Sequence, residues 1–271
     1  MSESTLRVLS VSNQKGGVGK TTTAINLGTA LAAVGERVLL VDLDPQGNAS
    51  TGLGMSRGGT QKTVYDVVVN GAPIGDATRP TALPGLDLLG SDPDLSGAEI
   101  ELASVLRRSF RLRDALQPLR EAGHANAYTY VLIDCPPSLN LLTVNAMTAA
   151  DAVLVPLQCE FFALEGLTQL MRTVELVRGS LNPRLEIQGL VLTMYDRRNR
   201  LSDQVAADVR NHFGDKVYQT MIPRNVRVSE APSFGKPVLV YDLKCAGSRA
   251  YLDLAREVVG RERARRVTVA A

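Results

Sequence analysis

The feature that most limits how this chain can fold is a glycine-rich stretch, KGGVGKTTT, at residues 15–23. The run before it, LRVLSVS at 6–12, is short, apolar and β-branched, which is typical of a buried strand. The residues after it, TTTAINLGTALAAVGE, carry apolar side chains at mostly helical spacing and include a glycine near their end. A strand, a glycine-rich turn and a helix in this order predict a loop whose backbone N–H groups and helix N-terminus surround a phosphate group.

The side chains of this loop are those that a nucleoside triphosphate requires. Lys20 is placed to contact the β- and γ-phosphates, and the hydroxyl of Thr21 to bind Mg²⁺. The usual pattern, G-x-x-x-x-G-K-[ST], would have glycine at position 14, where this chain has Gln14, so the loop is a variant. Lys15 is a second lysine that the usual pattern does not explain, and a solvated surface charge is the simplest alternative for it.

Apolar runs alternate with helical patterns along the rest of the chain. Further strands are predicted at 37–44, 86–90, 129–137, 151–158, 187–196 and 215–223. Helices are predicted at roughly 97–119, 139–150, 163–180, 202–213 and 247–262. Near-continuous apolar strands that alternate with helices predict an α/β fold with a mostly parallel, doubly wound sheet and helices on both faces.

Acidic residues stand where two of the predicted strands end, at the sheet edge where ligands of such folds bind. Asp134, after the apolar VLI, is predicted to hold Mg²⁺ through water, the alternative being that it only caps the next helix or turn. Asp42 and Asp44 lie two apart on the same side of their strand, so one is expected to reach the pocket while the other supports it. Asp44 is the candidate for orienting the attacking water.

Composition sets the class of protein but not its ligand. The chain has 271 residues, 45% hydrophobic and 21% charged, and no linker-like stretch, so a single domain over 1–271 is predicted. It has neither an apolar run of about 20 residues nor an export signal, so we expect a cytoplasmic protein. The three cysteines lack disulfide or metal spacing. With a net charge of only +2, any nucleic-acid surface must come from local clustering.

Four stretches, KGGVGKTTT, VLLVDLDPQGNAS, VLIDCPPSL and IPRNVRVSEAPSFGKPV, together resemble the ParA/Soj chromosome and plasmid partition ATPases, deviant-Walker relatives of MinD. The resemblance extends from Arg7 to about Gly260. It implies a P-loop ATPase that binds ATP, ADP and Mg²⁺ and forms an ATP-dependent sandwich homodimer. It also implies weak hydrolysis stimulated by a ParB-type centromere-binding partner, and association with the nucleoid.

The same resemblance assigns roles to individual residues. Lys15 would reach across the dimer to the partner subunit's ATP, Asp44 would position water, and Asp134 would belong to a switch region. The base would lie against Met194, Pro223 and Asn225. The phosphates would contact the loop residues Lys15, Gly16, Gly17, Val18, Gly19, Lys20, Thr21 and Thr22.

Basic residues cluster in the stretch DRRNR at 196–200 and again at Arg224 and Arg227. The resemblance implies that Arg198 and Arg227 contact double-stranded DNA without sequence preference, which suits arginine because phosphate contacts carry no base information. A solvated surface is the alternative. The basic tail at about 261–271 is interpreted as a disordered end or, less favoured, as a further DNA attraction.

Two other classes of function compete with the partition ATPase. A MinD-like, membrane-associated positioning ATPase would need a C-terminal amphipathic helix. Here YLDLAREVVG is followed by the polar RERARR, so this helix is expected to pack on the core and no membrane partner is expected. A metabolic P-loop enzyme or metal-cluster reductase would need additional substrate residues or paired cysteine ligands.

Overall fold

The computed structural model describes residues 6–55, 61–121, 128–161 and 163–270 of the chain. The predicted domain, and the last residue of the predicted tail, extend beyond these ranges. Seven strands within them form one sheet. The strands, in chain order, are β1 (Arg7–Val11), β2 (Val38–Asp42), β3 (Thr78–Pro80), β4 (Leu86–Leu89), β5 (Tyr130–Asp134), β6 (Ala152–Gln158) and β7 (Glu186–Thr193).

The strand order is β3-β4-β2-β5-β1-β6-β7, and every pair is parallel except β3 with β4. The predicted mostly parallel sheet is therefore confirmed. The sequence did not predict β3, a three-residue edge strand that ends at Pro80, where a proline costs no ladder hydrogen bond. The strand predicted at 215–223 is wrong: only isolated bridges, Leu190 to Val217 and Tyr195 to Pro223, link this segment to the sheet region.

Helices connect the strands and cover the sheet, with short 3₁₀ turns between some of them. The helices are α1 (Lys20–Ala33), α2 (Asn48–Gly52), α3 (Val64–Val68), α4 (Ile74–Ala77), α5 (Ala98–Glu101), α6 (Arg111–Glu121), α7 (Leu141–Ala149), α8 (Ala163–Ser180), α9 (Arg200–Phe213), α10 (Val226–Glu230), α11 (Val238–Tyr241) and α12 (Ala246–Ala270).

Two helix predictions differ from the structure in extent. The helix expected at 97–119 is broken into α5, a 3₁₀ turn and α6, because Arg107 has a positive φ of 61° that an α-helix cannot contain. The last helix does not end near 262: α12 continues to Ala270, where the sequence favoured a disordered end.

The core lies on both faces of the sheet, as a parallel sheet requires. Val8 and its neighbours on adjacent strands pack with residues of α6, α7 and α8 on one face. Leu9, the next residue of β1, packs on the other face with residues of α1 and α12, such as Leu27 and Leu254. The apolar side of α12 is therefore used in the core, as the sequence predicted.

One glycine of β7 is required by a close packing contact. A Cβ atom added to Gly189 would lie 2.6 Å from the Tyr218 ring and 2.9 Å from the backbone oxygen of Lys216. The Tyr218 side chain is completely buried, so it cannot move aside into solvent. Because residue 189 has no side chain, the segment after α9 can pack closely against β7 at the edge of the sheet.

We expect Gly189→Ala to lower the free energy of unfolding by about 1–3 kcal/mol, because the added methyl group pushes a buried ring and a backbone carbonyl away from β7. Urea unfolding followed by circular dichroism measures this change. Gly179→Ala is the matched control: its added Cβ meets nothing within 4 Å, and in α8 it should raise stability by about 0.5 kcal/mol. Equal stability of the two variants would contradict the packing argument.

Candidate nucleotide-binding site

The glycine-rich loop leaves β1 at the carboxyl edge of the sheet and turns into α1. Gly17 and Gly19 have positive φ values of 75° and 87°, a left-handed backbone that other residues adopt only at a cost. Gly16 and Gly17 lie on the exposed outer surface of the loop, whereas Val18 is buried. The Thr193 hydroxyl at the end of β7 donates to the carbonyl oxygen of Val18 at 2.8 Å and so fixes the loop to the sheet.

The side-chain amide of Asn13 fixes the beginning of the loop through both its nitrogen and its oxygen. Its Nδ2 donates to the carbonyl oxygen of Pro156 at 2.8 Å, and its Oδ1 accepts from the backbone N–H of Lys15 at 3.0 Å. Gln14 donates from Nε2 to the Thr173 hydroxyl of α8 at 2.8 Å. The residue that departs from the usual glycine therefore ties the variant loop to a helix.

The two lysines of the loop have different surroundings. Lys20 is buried, and its Nζ donates to the carbonyl oxygen of Lys15 at 3.0 Å. Burial lowers the pKa of Lys20, while the nearby carboxyl groups of Asp134 and Asp44 oppose that shift. A phosphate bound by the loop would supply a negative partner for this side chain.

Lys15 extends instead toward Glu160, just after β6. Its Nζ lies 2.9 Å from the carboxylate oxygen Oε2, and the two side chains are 34% and 47% exposed. The other carboxylate oxygen accepts a short hydrogen bond from Gln158. Glu160 is not among the predicted site residues, although its position just after a predicted strand is the same signal that identified the aspartates.

Asp134 ends β5 between β1 and β2, paired in register with Val11 and Asp42. It is completely buried, and neither carboxylate oxygen has a hydrogen-bond partner among the described residues. Burial and then the charge of Asp42 raise the pKa of Asp134 well above its usual range, while the nearby Thr21 hydroxyl and Lys20 favour its charged form. A buried carboxylate without a partner is costly, so this site fits a bound cation.

Thr21 and Asp134 are a suitable donor set for Mg²⁺. Magnesium prefers oxygen ligands and is usually held by one or two protein groups, waters and substrate phosphates. In the part of the chain that the structure describes, no three His, Cys, Asp or Glu side chains form a metal cage. Thr21 and Thr22 lie half-buried in the first turn of α1, with Thr21 beside the carboxylate.

The two aspartates after β2 have separate environments. The Asp42 carboxylate accepts two hydrogen bonds of 2.8 Å from Ser50, one from the backbone and one from the hydroxyl. Burial raises the pKa of Asp42 to about 6, opposed by these bonds. Asp44 accepts from the Gln46 backbone at 3.0 Å through one oxygen, and no hydrogen bond to its other oxygen is found among the described residues. Asp42 therefore supports α2, and Asp44 keeps an oxygen available.

Of the three residues expected to line the base, the structure places Met194 beside the loop. Met194 follows β7 with a positive φ of 51°, and its methyl group lies 3.8 Å from where a Cβ on Gly19 would be. Tyr195 then pairs with the segment that holds Pro223. The Asn225 side chain caps α10 by accepting from the Val228 backbone at 3.4 Å. These contacts place Met194 against the loop and give the Asn225 amide a structural partner.

The two arginines expected to bind DNA both form ion pairs. Arg198 makes two hydrogen bonds with Asp196, at 3.0 and 2.9 Å, and its side chain is 87% exposed. The same guanidinium lowers the pKa of Asp196 to about 2. Arg227 lies 3.0 Å from a carboxylate oxygen of Glu230 and 3.6 Å from one of Asp242.

Comparison with known proteins places this geometry in a family. A family model described as an AAA domain matches residues 6–187. The chain is 74% identical over 270 residues to the chromosome partitioning protein ParA of Caulobacter vibrioides, with complete coverage of both. It is 52% identical over 252 residues to the sporulation initiation inhibitor protein Soj of Bacillus subtilis, covering 93% of this chain and 98% of Soj.

Solved structures share the fold. A crystal structure of cobyrinic acid a,c-diamide synthase from Mycobacterium smegmatis with bound ADP and magnesium has a TM-score of 0.79 and 39% identity and covers 93% of both chains. The cell division ATPase MinD of Pyrococcus furiosus has a TM-score of 0.75 and 27% identity, over 94% of this chain and 98% of MinD. The deviant P-loop, the sheet order and the full-length relatives agree, and the chain belongs to the ParA/Soj family of chromosome-partitioning ATPases.

Proposed function

We propose that this chain is a partition ATPase in which ATP drives a sandwich homodimer that binds duplex DNA without sequence preference. Hydrolysis, weak alone and stimulated by a ParB-type partner, would release the DNA. The observation that carries the proposal is the second loop lysine, Lys15. It contacts Lys20 through its backbone carbonyl, and its ammonium is paired with a partly exposed carboxylate. The names of the full-length relatives support the same conclusion.

Nucleotide binding rests on the loop and on the buried acidic group beside it. Lys20 would contact the β- and γ-phosphates, and Thr21 and Asp134 would hold Mg²⁺, the latter through water. When bound, Mg²⁺ neutralises charge on the phosphates. The M. smegmatis protein has been solved with ADP or an ATP analogue together with magnesium, which supports the same cofactors here.

Lys15 would couple the nucleotide to dimerisation. Its ion pair with Glu160 is partly exposed, and exposed pairs contribute only about 0–1 kcal/mol, so Lys15 can exchange this carboxylate for a phosphate of the partner subunit at little cost. A cation supplied by the partner favours a dimer only when the phosphate charge is present. ATP would then shift the population because it binds the dimer more tightly than the monomer.

Asp44 would orient the water that attacks the γ-phosphate. Its bond to the Gln46 backbone holds the carboxylate in place while one oxygen stays available to accept from water. Asp42, at the end of β2, is occupied by Ser50 and cannot take this role without releasing α2. Asp42 is thus a positioning residue for α2, and Asp44 is the candidate catalytic residue.

DNA binding would use Arg198 and Arg227. Both make exposed ion pairs within the chain, and DNA phosphates can replace such carboxylate partners because the exchange costs little and releases counterions. Contacts of this type carry no base information. The protein would therefore be found in the cytoplasm on the nucleoid.

The MinD-like alternative is less well supported. The apolar residues of α12 that a membrane helix would expose, including Leu254 and Val258, are completely buried in the core. None of the described helices combines the length and apolar character needed to cross a bilayer. The metabolic activity in the name of the M. smegmatis structure belongs to a protein 39% identical to this chain, whereas the ParA relative is 74% identical over its full length.

We expect Lys15→Ala to bind ATP but to remain a monomer with a nonhydrolysable ATP analogue and Mg²⁺, because the cation that crosses the dimer is absent. Size-exclusion chromatography with light scattering measures the mass. Lys62→Ala is the matched control, since it removes a lysine from a similar exposed ion pair, with Asp76 at 2.8 Å, and Lys62 is not among the proposed site residues. A Lys15→Ala dimer would exclude the cross-subunit role.

Asp44→Asn should keep the ATP-dependent dimer while lowering the rate of phosphate release by about 100-fold or more, because the carboxylate that orients the attacking water is lost. The amide oxygen can still accept the Gln46 hydrogen bond, so the local backbone is preserved. Phosphate release and mass are measured on the same sample. Normal turnover in this variant would remove Asp44 from the reaction.

Arg198→Glu should weaken binding to nonspecific duplex DNA without preventing the ATP-dependent dimer. Removing one arginine–phosphate interaction should reduce the slope of log affinity against log salt by about 0.9. Fluorescence anisotropy over a salt series measures the slope. Arg79→Glu, on β3 at the opposite edge of the sheet, is the charge-matched control and should bind normally. An unchanged slope for Arg198→Glu would place this arginine outside the DNA interface.

A further inference from the structure

A second cleft lies at the edge of the sheet opposite the glycine-rich loop. The residues at the amino ends of three parallel strands line it: Arg7 of β1, Asp151 before β6 and Glu186 of β7. The cleft measures about 830 Å³, within the range of about 300–1,000 Å³ that small-molecule sites occupy. All strands that line the cleft are parallel, so their amino ends lie at the edge opposite the carboxyl ends that hold the nucleotide site. The two sites share no residue.

Arginines dominate the charge of this cleft. Arg7, Arg113, Arg120, Arg184 and Arg265 line it, against the carboxylates of Asp114, Asp151 and Glu186.

Three of these arginines have close carboxylate partners. Arg120 contacts Asp151 at 3.0 Å, and both Arg7 and Arg265 contact Glu262 at 3.1 Å. These pairs hold the walls of the cleft together.

The other two arginines are available to a ligand. The closest carboxylate contact of Arg113 is a long one of 3.6 Å, to Asp114, and its guanidinium lies over the Phe110 ring. Arg184, on the exposed turn between α8 and β7, makes no ion pair within the described residues. Two cations at one cleft therefore lack close carboxylate partners among the described residues.

A buried hydroxyl also points to a ligand. Thr148, near the end of α7, lines the cleft with 2% of its surface exposed, and its Oγ1 has no hydrogen-bond partner in the described structure. Buried polar groups are nearly always paired, because leaving one unpaired costs free energy. A ligand that accepts a hydrogen bond here would satisfy it.

We propose that this cleft binds a small molecule that carries phosphate groups. Guanidinium groups recognise phosphate through paired N–H···O bonds, and two arginines without close carboxylate partners, together with a hydroxyl donor, match several anionic oxygens better than a single carboxylate. Leu6, Ala149 and Ala150 supply apolar surface for the rest of the molecule. The proposal does not depend on the partition function, since none of these residues belongs to the nucleotide or DNA site.

The test is calorimetric titration of pyrophosphate into the full chain saturated with ADP and excess Mg²⁺, so that the loop is already occupied. One binding event is expected. Arg184→Ser and Arg113→Ser should each weaken it by about tenfold, the loss expected for one charge-assisted hydrogen bond. Thr148→Val should also weaken it. Arg178→Ser is the matched control, because this exposed arginine on α8 lies outside the cleft and should change nothing.

Each result decides the proposal. Absence of binding in the ADP-saturated protein, or unchanged affinity in the folded Arg184→Ser variant, would overturn it. Tighter binding of citrate than of pyrophosphate would reject the phosphate class. Loss of duplex DNA affinity in Arg184→Ser would assign the cleft to DNA and overturn the small-molecule site, whereas normal DNA affinity with weaker pyrophosphate binding supports it.

Discussion

The position of β1 inside the sheet, between β5 and β6, is the constraint on which the rest of the structure depends. Its parallel ladders with β5 and β6 bring Val11, Asp134 and Leu154 to the same level, so the loop that follows β1 begins between neighbouring strand ends. Asn13 then fixes the direction of the loop by joining the Pro156 carbonyl to the Lys15 backbone. A phosphate site arises here because buried strands supply rigid ends and glycines supply the turn.

The electrostatics of this edge are incomplete without a ligand. Asp134 is buried without a hydrogen-bond partner among the described residues, and Lys20 is buried with only the Lys15 carbonyl as an acceptor there. Opposite charges buried near each other do not fully recover the cost of leaving water, which is several kcal/mol per ion. A nucleotide with Mg²⁺ would supply the missing partners, a cation for the carboxylate and phosphates for the lysine. These buried groups therefore lower the stability of the protein without ligand, and part of that cost would be recovered as affinity when the nucleotide binds.

Much of this could be predicted from sequence because the signals are local. A glycine-rich loop needs a strand before it and a helix after it, and an aspartate at the end of an apolar strand must face the same edge. The contact of Glu160 with Lys15, the Ser50 bonds of Asp42 and the cleft around Thr148 could not be predicted, because each depends on segments that meet only in the folded chain. The break in the helix expected at 97–119 could not be predicted for another reason: no feature of the sequence indicates that Arg107 adopts a left-handed backbone conformation.

The placement of ion pairs separates cations that hold the fold from cations that can change partner. Arg7 and Glu262 are both buried, so breaking this pair would leave an uncompensated charge in the core and cost far more than an exposed pair. Lys15, Arg198 and Arg227 are paired where water reaches them, and a phosphate can replace their carboxylates with little loss. These three are the cations for which the proposed function requires an exchange of partner. Among the cations that are paired with carboxylates, solvent exposure thus distinguishes a structural cation, such as Arg7, from one that the proposed function requires to change partner.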